Sequence, residues 1–205
     1  MNHACDSWFH ERMRALLILV VAATLLPSKV SAQSDTSWLD RPLAAWSHAP
    51  GTAPQARAGT ESQSALERRC GSSSLSASAA AEAVRNAGWV PFLQFDRAIA
   101  REDIEILGGM TAAASPGCEP TVFNLFVFVG GTFAGTISPI AMRQGRDGVV
   151  GAVRVTGPDA VTAEFARYTT KDTECCPASR VRVTYRIERA GPQPTLVPLD
   201  IRTLR

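Results

Sequence analysis

A run of short apolar strands separated by turn residues, from residue 121 to residue 202, most constrains what this chain can fold into. Residues 121–129 (TVFNLFVFV) place apolar side chains at both parities, as a strand covered on both faces requires. Gly130-Gly131 follows, the two-residue hairpin signal, and residues 132–138 return. Arg146-Asp147-Gly148 turns into residues 149–156, and Gly157-Pro158-Asp159 turns into residues 161–168. Residues 180–189 alternate strictly, with Val181, Val183, Tyr185 and Ile187 on one side, and a final strand spans residues 196–202. Consecutive strands joined by tight turns predict one antiparallel meander of five or six strands. Its apolar face needs a cover. Residues 76–87 supply one, an Ala-rich helical stretch ending at Gly88, where a left-handed cap fits. The expected class is therefore α+β, with the N-terminal helix packed on the sheet.

Between helix and meander the pattern is less definite. Residues 64–69 read as a further helical turn or two, and residues 89–95 as an apolar stretch with one proline. Residues 103–107 alternate and are expected to stop at Gly108-Gly109, although residues 97–106 also satisfy a helical period.

The beginning of the chain reads as a leader. Arg12 and Arg14 precede an apolar run of 12 residues, 15–26, which Pro27 ends; Val30-Ser31-Ala32 then gives the small-x-small pattern of a cleavage site before Gln33. A bilayer-spanning helix needs about 20 residues, so this run predicts a cleavable signal (residues 1–32, with Met13 as the better start) rather than an anchor. Gln33 stands where a lipid-modified cysteine would have to be. The mature chain is expected outside the cytoplasm, secreted or periplasmic, with no transmembrane segment. Residues 33–63 have the Ser/Thr/Ala/Pro composition of a flexible linker, and residues 64–205 form the domain. One island, Trp38, Leu39, Leu43 and Trp46, falls near helical spacing behind Ser37. It reads as a segment that docks on the chain's own domain, or as incidental tryptophans, before a partner site.

Removing residues 1–32 leaves 18 basic residues of 21 and 17 acidic of 19, a net charge of +1. That is too little for a nucleic-acid partner. Two of the three histidines go with the leader, and the third, His48, lies in the linker. A domain without histidine excludes Ser-His-Asp or Cys-His catalysis and any His-ligated zinc or haem. No catalytic residue, metal or cofactor is expected.

Four cysteines follow the leader: Cys70, Cys118, Cys175 and Cys176. An even number in an oxidising compartment predicts two disulfides. Adjacent Cα atoms lie about 3.8 Å apart, whereas disulfides prefer about 4.4–6.8 Å. A Cys175–Cys176 bond is thus the least expected of the three connectivities, and the pair is expected to split between Cys118 and Cys70. The chemical alternative is a vicinal dithiol that cycles in redox or binds soft metal, although no histidine or helix N-terminus is evident to activate it.

The stretch VFVGGTFAGTISP (residues 127–139) and, further on, Glu164-Phe165-Ala166-Arg167-Tyr168 and Asp172-Thr173-Glu174-Cys175-Cys176-Pro177 resemble the LppP/LprE-like lipoproteins and related exported β-rich bacterial proteins. The resemblance spans roughly residues 85–205. It implies export and a β-rich fold, and carries no activity.

Other constellations are weak. Gly130, Gly131 and Gly135 do not open a helix or precede a lysine, as a phosphate cradle would. Ser138 and the Ser72-Ser73-Ser74 run have no base. Glu164, Glu188 and Asp200 share the outward strand faces with Arg154, Arg180, Arg182, Arg186 and Arg202, as cross-strand ion pairs would. An Arg stripe of this kind, above all Arg180, Arg182 and Arg186, could also grip an anionic envelope component. The expected function is a non-enzymatic exported binding or structural module whose partner is an envelope protein or an anionic surface component. The runner-up is a thiol-redox or soft-metal protein built on Cys175 and Cys176; a carboxylate hydrolase comes third.

Overall fold

A computed structural model describes residues 37–46, 51–57, 59, 61–71, 78–92, 99–101, 103–114 and 117–204. The expected leader, the cut after Ala32, His48 and Ser72-Ser73-Ser74 lie outside the described residues. Among the described residues two 3-10 turns, Trp38–Asp40 and Leu43–Trp46, precede two short α-helices: α1 (Gln63–Cys70) and α2 (Ala79–Asn86). The Ser62 and Ser78 hydroxyls cap them by accepting from the N–H groups of Ala65 and Ala81. Gly88 ends α2 at φ +84°, the left-handed conformation expected of it.

Ten strands follow among the described residues: β1 (Val90–Phe92), β2 (Ile99–Arg101), β3 (Ile104–Ala113), β4 (Pro120–Val129), β5 (Thr132–Thr136), β6 (Met142–Arg143), β7 (Val150–Gly157), β8 (Ala160–Arg167), β9 (Ser179–Glu188) and β10 (Thr195–Leu204). All described pairings are antiparallel, but they form two sheets where one was expected. The first has the order β1-β3-β4-β5, with β2 continuing the β1 edge along β3 and β6 continuing the β5 edge along β4. The second is the meander β7-β8-β9-β10. Gly130 and Gly131 make the β4–β5 turn with positive φ at both positions (55° and 78°), as a two-residue hairpin demands.

Side-chain parity explains the layers. On β4, Phe123, Leu125 and Val127 join the large core, which also holds Val161, Ala163 and Phe165 of β8 and Val181, Val183, Tyr185 and Ile187 of β9. Phe126 and Phe128 point the other way, into a second core with Ala80, Ala81 and Val84 of α2, Trp89 and Phe133. The Ala-rich helix therefore covers the outer face of the first sheet, and the second sheet covers the inner face. β4 is buried on both sides, as its composition requires.

Two expectations about β2 and β3 are corrected. Residues 99–101 and 104–106 form strand rather than helix, and β3 runs through Gly108 and Gly109 to Ala113. The pair does not stop the strand. A Cβ at Gly108 would lie 2.5 Å from the Phe92 ring, and one at Gly109 would lie 2.7 Å from Phe126 and 2.9 Å from Val84. Glycine lets neighbours pack against the bare strand.

Residues 137–149 carry the chain from one sheet to the other. Buried Asn124 donates to the carbonyls of Ser138 (3.0 Å) and Ile140 (3.1 Å), and the Thr136 and Ser138 hydroxyls donate to the same two carbonyls. Tyr185 reaches across from the second sheet to donate to the Ile137 carbonyl. Around buried Ile137 and Ser138 irregular backbone needs such partners, because an unpaired carbonyl away from water is costly. Ser138 is thereby a structural hydroxyl.

The tryptophan island lies on the protein's own domain. Trp38 and Trp46 are each only 4% exposed, and the Trp38 ring packs edge-on against Phe165 at 5.0 Å. Its indole sits against Gly148, where a larger residue would collide. Arg167 donates twice to Asp40 and once to Asp147, clamping the segment to β8. Burial raises the cost of an unpaired guanidinium, and Asp40 with Asp147 holds Arg167 firmly protonated.

Candidate functional site around Cys175 and Arg180

Cysteine pairing departs from the expected split. Cys70, at the end of α1, is bonded to Cys118 in the turn before β4, with Cα atoms 5.4 Å apart. Cys175 and Cys176 are left to each other, exposed and unbonded, their sulfurs 2.7 Å apart. Spacing in sequence says nothing of connectivity, so only the fold could choose among the three.

The loop between β8 and β9 explains how adjacent side chains come to one side. One Asp172 carboxylate oxygen accepts from the N–H groups of Thr169 (2.6 Å) and Ala178 (3.1 Å), closing the loop at its base. Those bonds, led by the Thr169 N–H, hold the carboxyl below the usual range. Inside the loop the Cys176 N–H donates to the Thr173 carbonyl at 3.0 Å, a tight turn. In a strand the two side chains would point to opposite faces; here both sulfurs face the same way. The Thr173 hydroxyl lies 3.2 Å from the Cys175 sulfur.

The two thiols are therefore unlike. Cys175 is pulled below the ordinary thiol value, first by the Cys176 thiol and then by the Thr173 hydroxyl. Cys176 is pushed up, chiefly by its bond to the Cys175 sulfur. Sequence reading found the pair and carried Asp172 and Thr173 only as part of the DTECCP motif, without a role. The signal was present: an Asp in a short polar loop commonly accepts from nearby backbone N–H groups, here one on each side of it.

Beside the loop lies a groove of about 360 Å³, bordered among others by Val150, Glu164, Tyr168, Glu174, Cys175 and Arg180. Tyr168 fixes its rim by donating from its hydroxyl to the Glu174 carbonyl at 2.6 Å. Its phenol is held above the ordinary value, by burial first and by the nearby cysteines second.

The expected arginine face exists, on the outward side of the second sheet, and most of it is neutralised. Register sets Arg182 opposite Glu164, and the two pair at 2.6 Å. Arg186 pairs with Glu188, and Arg202 with Asp200. Arg180 is different. It is exposed, borders the groove, and among the described residues has no carboxylate within ion-pair reach. Arg154, also exposed, shares that condition without touching the groove. The third reading, facing carboxylates in a deep cleft, finds Glu164, Glu188 and Asp200 each committed to an arginine.

A second cavity of about 300 Å³ lies between α1 and β3, lined by Arg57, Glu61, Gln63, Leu66 and Met110 among others. Its acid is committed too, since Glu61 pairs with Arg69 at 2.7 Å.

Fold and site together define a disulfide-linked module of two antiparallel sheets, helix-covered on one side, with a dithiol loop beside a groove that Arg180 borders. Residues 104–190 match the model of the LppP/LprE lipoprotein family, from the start of β3 to just beyond β9. The similarity resting on the GGTFAGT and DTECCP motifs is thus shown over the segment containing both. No curated protein and no solved structure matches the chain.

Proposed function

We propose that this protein is an exported, non-enzymatic binding module that takes an anionic group of the cell envelope at the groove beside Arg180. Export is supported by the lipoprotein family that residues 104–190 resemble and by the leader pattern, with cleavage between Ala32 and Gln33. The observation that carries the binding reading is the contrast on one sheet face. Arg182, Arg186 and Arg202 are satisfied within the protein, whereas Arg180, at the groove, has no carboxylate within ion-pair reach among the described residues. An unpaired guanidinium keeps its fork of donors available to phosphate or carboxylate.

The test uses the purified chain with vesicles of phosphatidylglycerol and phosphatidylcholine, read by co-sedimentation. Binding should require the anionic lipid and weaken with salt. Arg180→Gln should weaken it about tenfold, matching roughly 1.5 kcal/mol for a charge-assisted contact. Arg186→Gln should bind like the parent, because Glu188 already neutralises that side chain. Equal binding by the parent and both variants, or no binding at all, would refute the reading.

The thiol reading has its own support in the 2.7 Å sulfur contact. It favours redox over metal, since among the described residues no group of three or more His, Cys, Asp or Glu side chains is placed to hold an ion.

A further inference from the structure

The β8–β9 loop has a chemistry that does not depend on the anionic ligand. Its sulfurs lie closer than two non-bonded sulfurs normally approach, and the loop that holds them is closed by Asp172 and turned by the Cys176–Thr173 hydrogen bond. Among the described residues the other cysteines, Cys70 and Cys118, are already bonded to each other. Among the described cysteines, each exposed sulfur therefore has only its neighbour with which to form a disulfide.

We infer that Cys175 and Cys176 are a redox couple that closes to a vicinal disulfide by exchange with an oxidised dithiol. The Cys175 thiolate attacks one sulfur of the oxidant's disulfide. That bond breaks, a mixed disulfide forms, and the departing oxidant thiolate takes up a proton. Cys176 then loses its proton and attacks the Cys175 sulfur, expelling the second oxidant thiol. Two thiols and one disulfide become one disulfide and two thiols, with two electrons and two protons passed to the oxidant.

The order of attack follows from the site. Thr173 and the Cys176 thiol stabilise negative charge on Cys175, and the thiolate is the nucleophile. The obstacle to such a bond is the short Cα spacing of neighbouring residues. The turn meets that obstacle in part by bringing both side chains to one side before any bond is made. Cys175 also borders the groove, so ring closure would reshape one wall of it.

The experiment equilibrates the full chain in mixtures of reduced and oxidised glutathione, traps free thiols by alkylation, and maps tryptic peptides. Cleavage after Lys171 and Arg180 puts both cysteines in one peptide, residues 172–180. That peptide should pass from doubly alkylated to an unalkylated form two hydrogens lighter than the free dithiol peptide, in a single two-electron transition, with Cys70–Cys118 intact throughout. A peptide that stays alkylated, carries glutathione on its sulfurs, or is linked to another peptide overturns the inference. Single variants test the order: Cys176→Ser should acquire glutathione at least about threefold faster than Cys175→Ser. Equal or reversed rates remove the nucleophile's role from Cys175.

Discussion

One hydroxyl, that of Tyr185, joins the two sheets at the point where the chain passes between them. It is 2% exposed and donates to the Ile137 carbonyl. Replacing it with Phe keeps the ring and orphans the carbonyl, so Tyr185→Phe should cost about 1–2 kcal/mol in denaturant unfolding. Burial raises the phenol well above its ordinary value of 10.0. The sign of the pH effect follows. The folded state holds the proton more tightly than the unfolded state, so the stabilisation is complete below the ordinary value and is lost as pH climbs through the higher native one. Ultraviolet titration should show one tyrosine, Tyr168, ionising in the native protein, with Tyr185 ionising only on unfolding. A second native phenolate would mean that the ring is not sealed. Composition tells which residues could do chemistry, but not which are already occupied. Arg180, Arg182 and Arg186 look alike in sequence, and only register gives Arg182 a carboxylate opposite it.

Strand β3 shows what elements conceal. Gly109 lies where Phe126, Val84 and Trp89 converge, so even the methyl of Gly109→Ala should destabilise by about 1–3 kcal/mol. Gly151→Ala, in β7, has 3.9 Å to the nearest such atom and should stay within about 0.5 kcal/mol of the parent. Chemical denaturation of both variants checks the contrast; equal losses would count against close packing at Gly109. Two glycines in a row read as punctuation because local sequence cannot show that a ring from another element fills the space. The β9 alternation, the two-sided β4 and the Gly130-Gly131 turn were legible because their causes are local. The division into two sheets was not. It depends on what residues 137–149 meet: Asn124 from β4 and Tyr185 from β9.

Across the molecule, the covalent link and the polar links hold different parts. Cys70–Cys118 ties α1 to the turn before β4, closing a span of 48 residues. A loop of that size is worth about 4 kcal/mol in the chain-entropy model. Arg189 joins Asp103, ahead of β3, to Asp159 in the β7–β8 turn. Residues 37–46 have no covalent tie of this kind and are held by burial and by the Asp40–Arg167 clamp. Trp38→Ala should therefore cost about 3–5 kcal/mol, and tryptophan fluorescence should report detachment of the segment. Stability unchanged within error would show that the docked segment contributes nothing to the fold.

Docking of that segment also imposes an order in time. Asp40 and Arg167 are separated by 127 residues, so the early-made end of the chain must wait for β8 before its clamp can exist. Until then Trp38 and Trp46 have no surface to settle on, and exposed aromatic side chains invite association with other chains. Sequestering them is among the last events the polypeptide can complete, and it doubles as a check on assembly: a chain hides its own tryptophans only after its second sheet has formed.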